Sequence, residues 1–278
     1  MTAATVSYDV TLKLGDIRMK AIVKRYSSLL INSMPLPALE RLEQSARLGQ
    51  GKGWGSSTVS QEVNAALSLL SPNEMNSLVA LDVGANVGCW TSAFLKATPN
   101  AKIYAFEPSK TAFHILQQTL GNDERVHLIN RALGAEEGDK TLFADAAGSG
   151  LGSLTKRKLD HLNIDFGYWE TVAVTTLDQW IAANPTGGGS LILKMDVEGH
   201  ELDVLHGAAI TLENISVVQF EFGGCNIDTR TYFQDFFYFF EEAGFRLFRL
   251  GPKGLSLVAN YKEIDEVFTT TNYFAQRL

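Results

Sequence analysis

From Leu78 onward, short and almost continuously apolar runs alternate with amphipathic stretches, and this rhythm limits the fold more than any other feature. The apolar runs are Val79–Val83, Ile103–Glu107, Val126–Asn130, Leu191–Asp196 and Val217–Phe222. A half-solvated strand would alternate polar with apolar; these suit strands covered by helices on both faces, and hence a parallel sheet. Helices are expected between them, at Gly88–Ala97, Lys110–Leu120 and His200–Glu213. Two stretches depart from the rhythm. Thr141–Thr175 is Gly-rich and partly alternating, which predicts an inserted hairpin and loop. The end of the chain predicts a helix over Thr231–Ala243, a strand at Arg246–Leu250 and, after a turn, an antiparallel edge strand near Tyr273–Arg277.

Ahead of this region, Val6 to Val23 alternate on either side of Gly15-Asp16, the pattern of a β-hairpin. A helix is expected from Ala38 to Leu48, closed by Gly49, followed by the Gly-rich stretch Gly51–Gly55. Thr58 and Gln61 form a capping box ahead of a stripe of Val63, Ala66, Leu67 and Leu70. The chain therefore divides into an extension, residues 1–57, and a domain, residues 58–278. A net charge of -7 opposes binding to phosphate backbones, so nucleic acid is not the expected partner. There is no leader pattern and no apolar window of about 18 residues, so no membrane partner is expected and a cytoplasmic location fits. Cys89 and Cys225 are far apart and outside any Cys/His cluster, which argues against a disulfide framework and a structural zinc.

Two motifs carry chemistry. Leu81-Asp82-Val83-Gly84-Ala85-Asn86-Val87-Gly88 stands where the first strand turns into a helix, the ligand edge of an open α/β sheet. A GxGxxG fingerprint would need glycines where Asn86 and Cys89 stand, so a dinucleotide site is disfavoured. Glu107 closes the second strand, where a carboxylate can accept both hydroxyls of a ribose, and Pro108 can open the next helix. Asn130-Arg131-Ala132 ends the third strand, in a place to border an adenine. The second motif, Lys194-Met195-Asp196-Val197-Glu198-Gly199-His200-Glu201, groups three carboxylates and an imidazole at a strand end. Such charges repel unless a cation, proton or donor compensates. Glu221 ends the adjacent strand and comes to the same edge.

In these motifs the chain resembles the FkbM family of methyltransferases: DVGANVG, FEPS, NRALG and KMDVEGHE occur in the family's order, followed by a similar terminal Asn272-Tyr273-Phe274. The resemblance spans about Val79 to Arg277. It implies a Rossmann-like, seven-stranded, mostly parallel sheet in the order 3-2-1-4-5-7-6 with helices on both faces. It further implies S-adenosylmethionine held by Asp82, Gly84, Ala85, Asn86, Gly88, Glu107, Pro108, Asn130, Ala132 and Asp196. The acceptor it suggests is a hydroxyl on a small molecule, a saccharide or natural product; a homo-oligomer is compatible with it. Catalysis is expected at Asp196, Glu198, His200 and Glu221. Asp196 and Glu221 would hold Mg²⁺ in a metal reading; His200 or Glu198 would act as general base in the preferred metal-free reading. The rivals are an NAD(P)-linked oxidoreductase and a catalytically inactive cofactor-binding partner subunit.

Overall fold

A computed structural model describes residues 31–55 and 58–278. The hairpin expected around Gly15-Asp16 lies outside the described residues. Helix α1 (Leu36–Gly49) begins with Leu36-Pro37, as the first turn of a helix requires no backbone donor from proline. Residues Leu48–Leu278, which include the last two residues of α1, form one folded unit.

That unit runs α2 (Val59–Ser68), β1 (Leu78–Val83), α3 (Cys89–Ala97), β2 (Lys102–Phe106), α4 (Lys110–Leu120), β3 (Val126–Ile129), β4 (Ala132–Leu133), β5 (Gly138–Ala144), β6 (Tyr168–Thr175) and α5 (Leu177–Ala183). It continues with β7 (Ser190–Met195), α6 (Glu201–His206), β8 (Ile215–Phe222), α7 (Cys225–Thr229), α8 (Phe233–Glu242), β9 (Phe245–Gly251), β10 (Gly254–Val258) and β11 (Thr271–Arg277). The capping box of α2 is present: Thr58 Oγ1 accepts from Gln61 N at 3.3 Å, and Gln61 Oε1 accepts from Thr58 N at 2.9 Å.

The main sheet has eight strands, in the order β3-β2-β1-β7-β8-β11-β9-β10, rather than the expected seven in the order 3-2-1-4-5-7-6. Strands β3, β2, β1, β7 and β8 are mutually parallel, and β11, β9 and β10 complete the sheet antiparallel. The additional strand arises because Gly254, at φ 91°, turns the chain back onto β9. The inserted hairpin is β5 with β6; β4 joins it to make a separate three-stranded sheet, which also shifts the chain-order numbering of the later strands. The helix expected over His200–Glu213 stops at His206. A Cβ on Gly207 would stand 2.1 Å from the carbonyl oxygen of Gly134, so the chain needs glycine there and resumes only as a short 3₁₀ turn, Thr211–Asn214.

One sheet face is covered by α2 and α3, where Val63, Ala66, Trp90 and Phe94 pack on Ala80, Ile103, Ile192 and Phe274. On the other face, the aromatic run of α8 is core: Phe233, Phe236, Phe237 and Phe240 are buried. Phe236 stacks on Phe220 of β8 at 4.9 Å, and each such ring contributes roughly 1.5–3 kcal/mol by burial. No helix among the described residues is long and apolar enough to cross a membrane.

Candidate active site

A cavity opens at the carboxyl ends of β1, β2 and β7, where their loops diverge. Gly84, Asn86, Glu107, Pro108, Ser109 and Ala132 line one part, and Asp196, Glu198 and His200 another; Ser149–Leu154 cross it as a strap. The enclosed space is about 60 Å³, well below the roughly 300–1,000 Å³ of a ligand pocket.

The loop after β1 is shaped by close approach. Gly84 has φ 76°, and a Cβ there would lie 1.9 Å from the carbonyl oxygen of Asp196. Asp82 is fully buried and turned away from the cavity, accepting from Thr91 Oγ1 at 2.6 Å and pairing with Lys194 Nζ at 3.1 Å. Lys194 also donates to Gly84 O at 3.0 Å, so the pair anchors the loop. Burial opposes the Lys194 charge, but Asp82 and Asp196 outweigh it and hold its pKa well above the ordinary lysine range. Ala85 and Gly88 shape this loop without bordering the cavity.

Glu107 is 6% exposed. Its two carboxylate oxygens accept from Asn86 N and Ser109 N, each at 2.8 Å. Burial pushes its pKa up to about 7, against the pull of those two N–H groups. Asn130 does not border the cavity; its amide donates to the carbonyls of Glu107 (2.8 Å) and Pro108 (3.1 Å) and holds the β2–α4 loop in place. Asn86 Oδ1 and Ser109 Oγ are buried at this end with no hydrogen-bond partner among the described residues. Unpaired polar atoms beside a buried carboxylate fit a ligand that brings its own donors and acceptors, as a nucleoside does.

The loop after β7 passes through two left-handed residues, Glu198 (φ 52°) and Gly199 (φ 100°). Glu201, fully buried, clamps it by accepting from Val197 N and Gly199 N, both at 3.2 Å. Asp196 lies 3.8 Å from Lys194 Nζ. His200 Nδ1 is 2.7 Å from Asp203 Oδ2, and its Nε2 is 3.0 Å from Thr155 Oγ1. Arg157 Nη1 lies 2.5 Å from Glu198 Oε2, and its Nε lies 3.4 Å from Asp228 Oδ2. Burial and the Asp196 carboxylate push Glu198 up to about 8, with Arg157 pulling the other way.

Glu221 stands on β8 opposite Asn272 and does not border the cavity. Its carboxyl is raised by burial and by Asp196, Glu198 and Glu62. Among the described residues, no group of three or more His, Cys, Asp or Glu side chains could hold a metal ion.

Thr155, Arg157, Asp203 and Ser109 were not singled out in the sequence. Asp203 carried a readable signal, because residues three apart on a helix are neighbours. Ser109 stands in the quoted FEPS motif, whereas the strap residues lie about forty residues before their partners and carried no local signal.

The sheet order and the site at its strand ends define a Rossmann-like α/β protein. Residues 82–247, more than half of the chain, match the Methyltransferase FkbM domain, and the chain belongs to this family. It is similar to the 2-O-methyltransferase NoeI of Sinorhizobium fredii, 28% identical over 154 residues that span 52% of this chain and 63% of that one. It is also similar to Methyltransferase 1 of Beauveria bassiana, 28% identical over 141 residues that span 46% of this chain and 57% of that one. The matched part thus covers about three fifths of these relatives. Among solved structures, the precorrin-6y C5,15-methyltransferase of Geobacter metallireducens overlays with a TM-score of 0.40 at 12% identity, covering 78% of this chain and 87% of that one.

Proposed function

We propose that this protein methylates a hydroxyl oxygen on a small acceptor, a saccharide or natural product, using S-adenosylmethionine. The observation that carries this reading is one cavity with Glu107 at one part and His200, oriented by Asp203, at another. When bound, the cofactor supplies an electrophilic sulfonium methyl. Each Glu107 oxygen retains a lone pair beyond its backbone bond, and these accept the ribose hydroxyls. Gly84 and Asn86 bring the backbone close to the amino-acid part.

Asp203, as a carboxylate, accepts a hydrogen bond from His200 Nδ1–H, which leaves a lone pair on Nε2 in the neutral ring. That nitrogen takes the acceptor's proton as the oxygen attacks, the role of a positioned general base. Asp196 and Glu198 border the same space and hydrogen-bond the acceptor. The reading needs no metal. The strap Ser149–Leu154 works as a lid, because the space beneath it is too small for a nucleoside until it withdraws. The methyltransferase domain is taken as residues 58–278 and residues 1–57 as an extension, of which the stretch from Leu48 folds with the domain, Lys52 pairing with Asp265 at 2.9 Å. The 2-O-methyltransferase name of one relative supports an oxygen acceptor.

Calorimetry with S-adenosylhomocysteine, followed by labelled-methyl transfer to a panel of saccharides and hydroxylated natural products, tests the reading. Binding of the adenosyl ligand and label on oxygen are expected. Binding of NADH in place of either adenosyl ligand overturns it.

A further inference from the structure

Behind the Ser109 end of the cavity stands a carboxylate that none of the motifs includes. Glu170, on β6, is 9% exposed and lies directly across the hairpin from Leu142 of β5. Its Oε2 accepts from Lys110 N at 3.3 Å, at the first turn of α4. Both Leu142 and Ser109, the residue before Lys110, line the cavity; Glu170 itself does not, and its carboxyl group stands one layer behind these two residues. Its other oxygen, Oε1, is buried with no hydrogen-bond partner among the described residues, and so is Ser109 Oγ, on a side chain 4% exposed. Leaving a buried acceptor unmade is costly, more so for a charged group.

The side chain placed by sequence to meet the base, Asn130, is committed elsewhere: its amide holds the carbonyls of Glu107 and Pro108. A donor is therefore missing at Glu170 and a reader is missing for the base. The exocyclic amine of adenine is a donor of the required kind. We infer that Glu170 Oε1 accepts a hydrogen bond from the adenine amino group, making this residue the determinant of base identity in the nucleoside site. The inference rests on the S-adenosylmethionine reading above. It gives the inserted hairpin a part in the site, since β6 carries this carboxylate to the back of the Leu142 and Ser109 layer.

The test compares the affinities of S-adenosylhomocysteine and S-inosylhomocysteine, whose base carries a carbonyl oxygen in place of the amine. Two facing acceptors repel, so the wild-type protein should prefer the adenosyl ligand by about tenfold or more, the size of one hydrogen-bond difference. Glu170→Gln keeps an acceptor for Lys110 N and offers an amide donor to the inosyl oxygen, so the preference should shrink or reverse. Equal wild-type affinities overturn the inference, and this comparison stands even where the variant fails to fold. A variant that loses affinity for both ligands in parallel also overturns it, because that marks a structural role. A wild-type protein that binds neither ligand defeats the cofactor reading itself, an outcome distinct from these two.

Discussion

His200 Nδ1 and Asp203 Oδ2 lie 2.7 Å apart, which leaves Nε2 of the same ring turned towards the strap hydroxyl of Thr155 at 3.0 Å. The hydrogen bond from His200 also holds the Asp203 carboxyl below the usual carboxylate range. His200→Ala should lower turnover by about 10²–10⁴ with the affinity for S-adenosylhomocysteine nearly intact. Asp203→Asn should lower it less, since the ring remains but its orientation and tautomer loosen. Measuring kcat and cofactor Kd on both variants checks this; full activity in His200→Ala moves the base elsewhere.

Cofactor affinity should depend on pH through Glu107. Burial raises this carboxyl to about 7, so it is ionised above that pH and accepts ribose hydroxyls best there. Affinity should fall as pH drops from 8 to 6, and Glu107→Gln should flatten the profile. Glu107→Ala should weaken binding by about 1–3 kcal/mol. For the free protein the sign is opposite. A raised folded pKa contributes stability below the unfolded value near 4.5 that is lost as pH rises through about 7. Glu107→Gln should therefore raise the melting temperature at pH 8 more than at pH 5.

Lys194→Met should be strongly destabilising. It removes the partner of fully buried Asp82 and the donor to Gly84 O, and breaking a buried pair on one side costs about 3–5 kcal/mol. The double variant Asp82→Asn with Lys194→Met should recover part of that loss. Chemical denaturation of the set is decisive, and a single variant as stable as wild type would show that the pair anchors nothing.

Arg157→Ala should release the strap. Its guanidinium bridges Glu198 and Asp228 with a side chain only 9% exposed, so the two carboxylates would lose their common partner. We expect faster proteolysis between Ser149 and Lys158, and less protection by S-adenosylhomocysteine than in wild type. Unchanged cleavage in both states would make the strap a passive loop.

Much of the architecture was legible in the sequence because burial on both faces writes itself into composition. Strands β1, β2, β3, β7 and β8 fall where the apolar runs stand, and the Thr58–Gln61 box starts α2 as expected, since capping is a local exchange of hydrogen bonds. Gly84, Asn86, Glu107, Pro108, Ala132, Asp196, Glu198 and His200 were named from motifs and border one cavity, because a parallel sheet gathers the carboxyl ends of its strands at one edge. Other features depended on which distant side chains the crossovers bring together. Asp82 turns to Lys194, 112 residues later in the chain, rather than to the cavity. Glu198 meets Arg157 across 41 residues, and Asp228 joins them across 71. Strand β10 depends on a positive φ at Gly254 followed by pairing with β9. Periodicity and motifs report what each residue needs from its immediate surroundings: burial, a cap or a turn. The partner that satisfies a buried charge is chosen by packing across the sheet, and only the tertiary structure decides it.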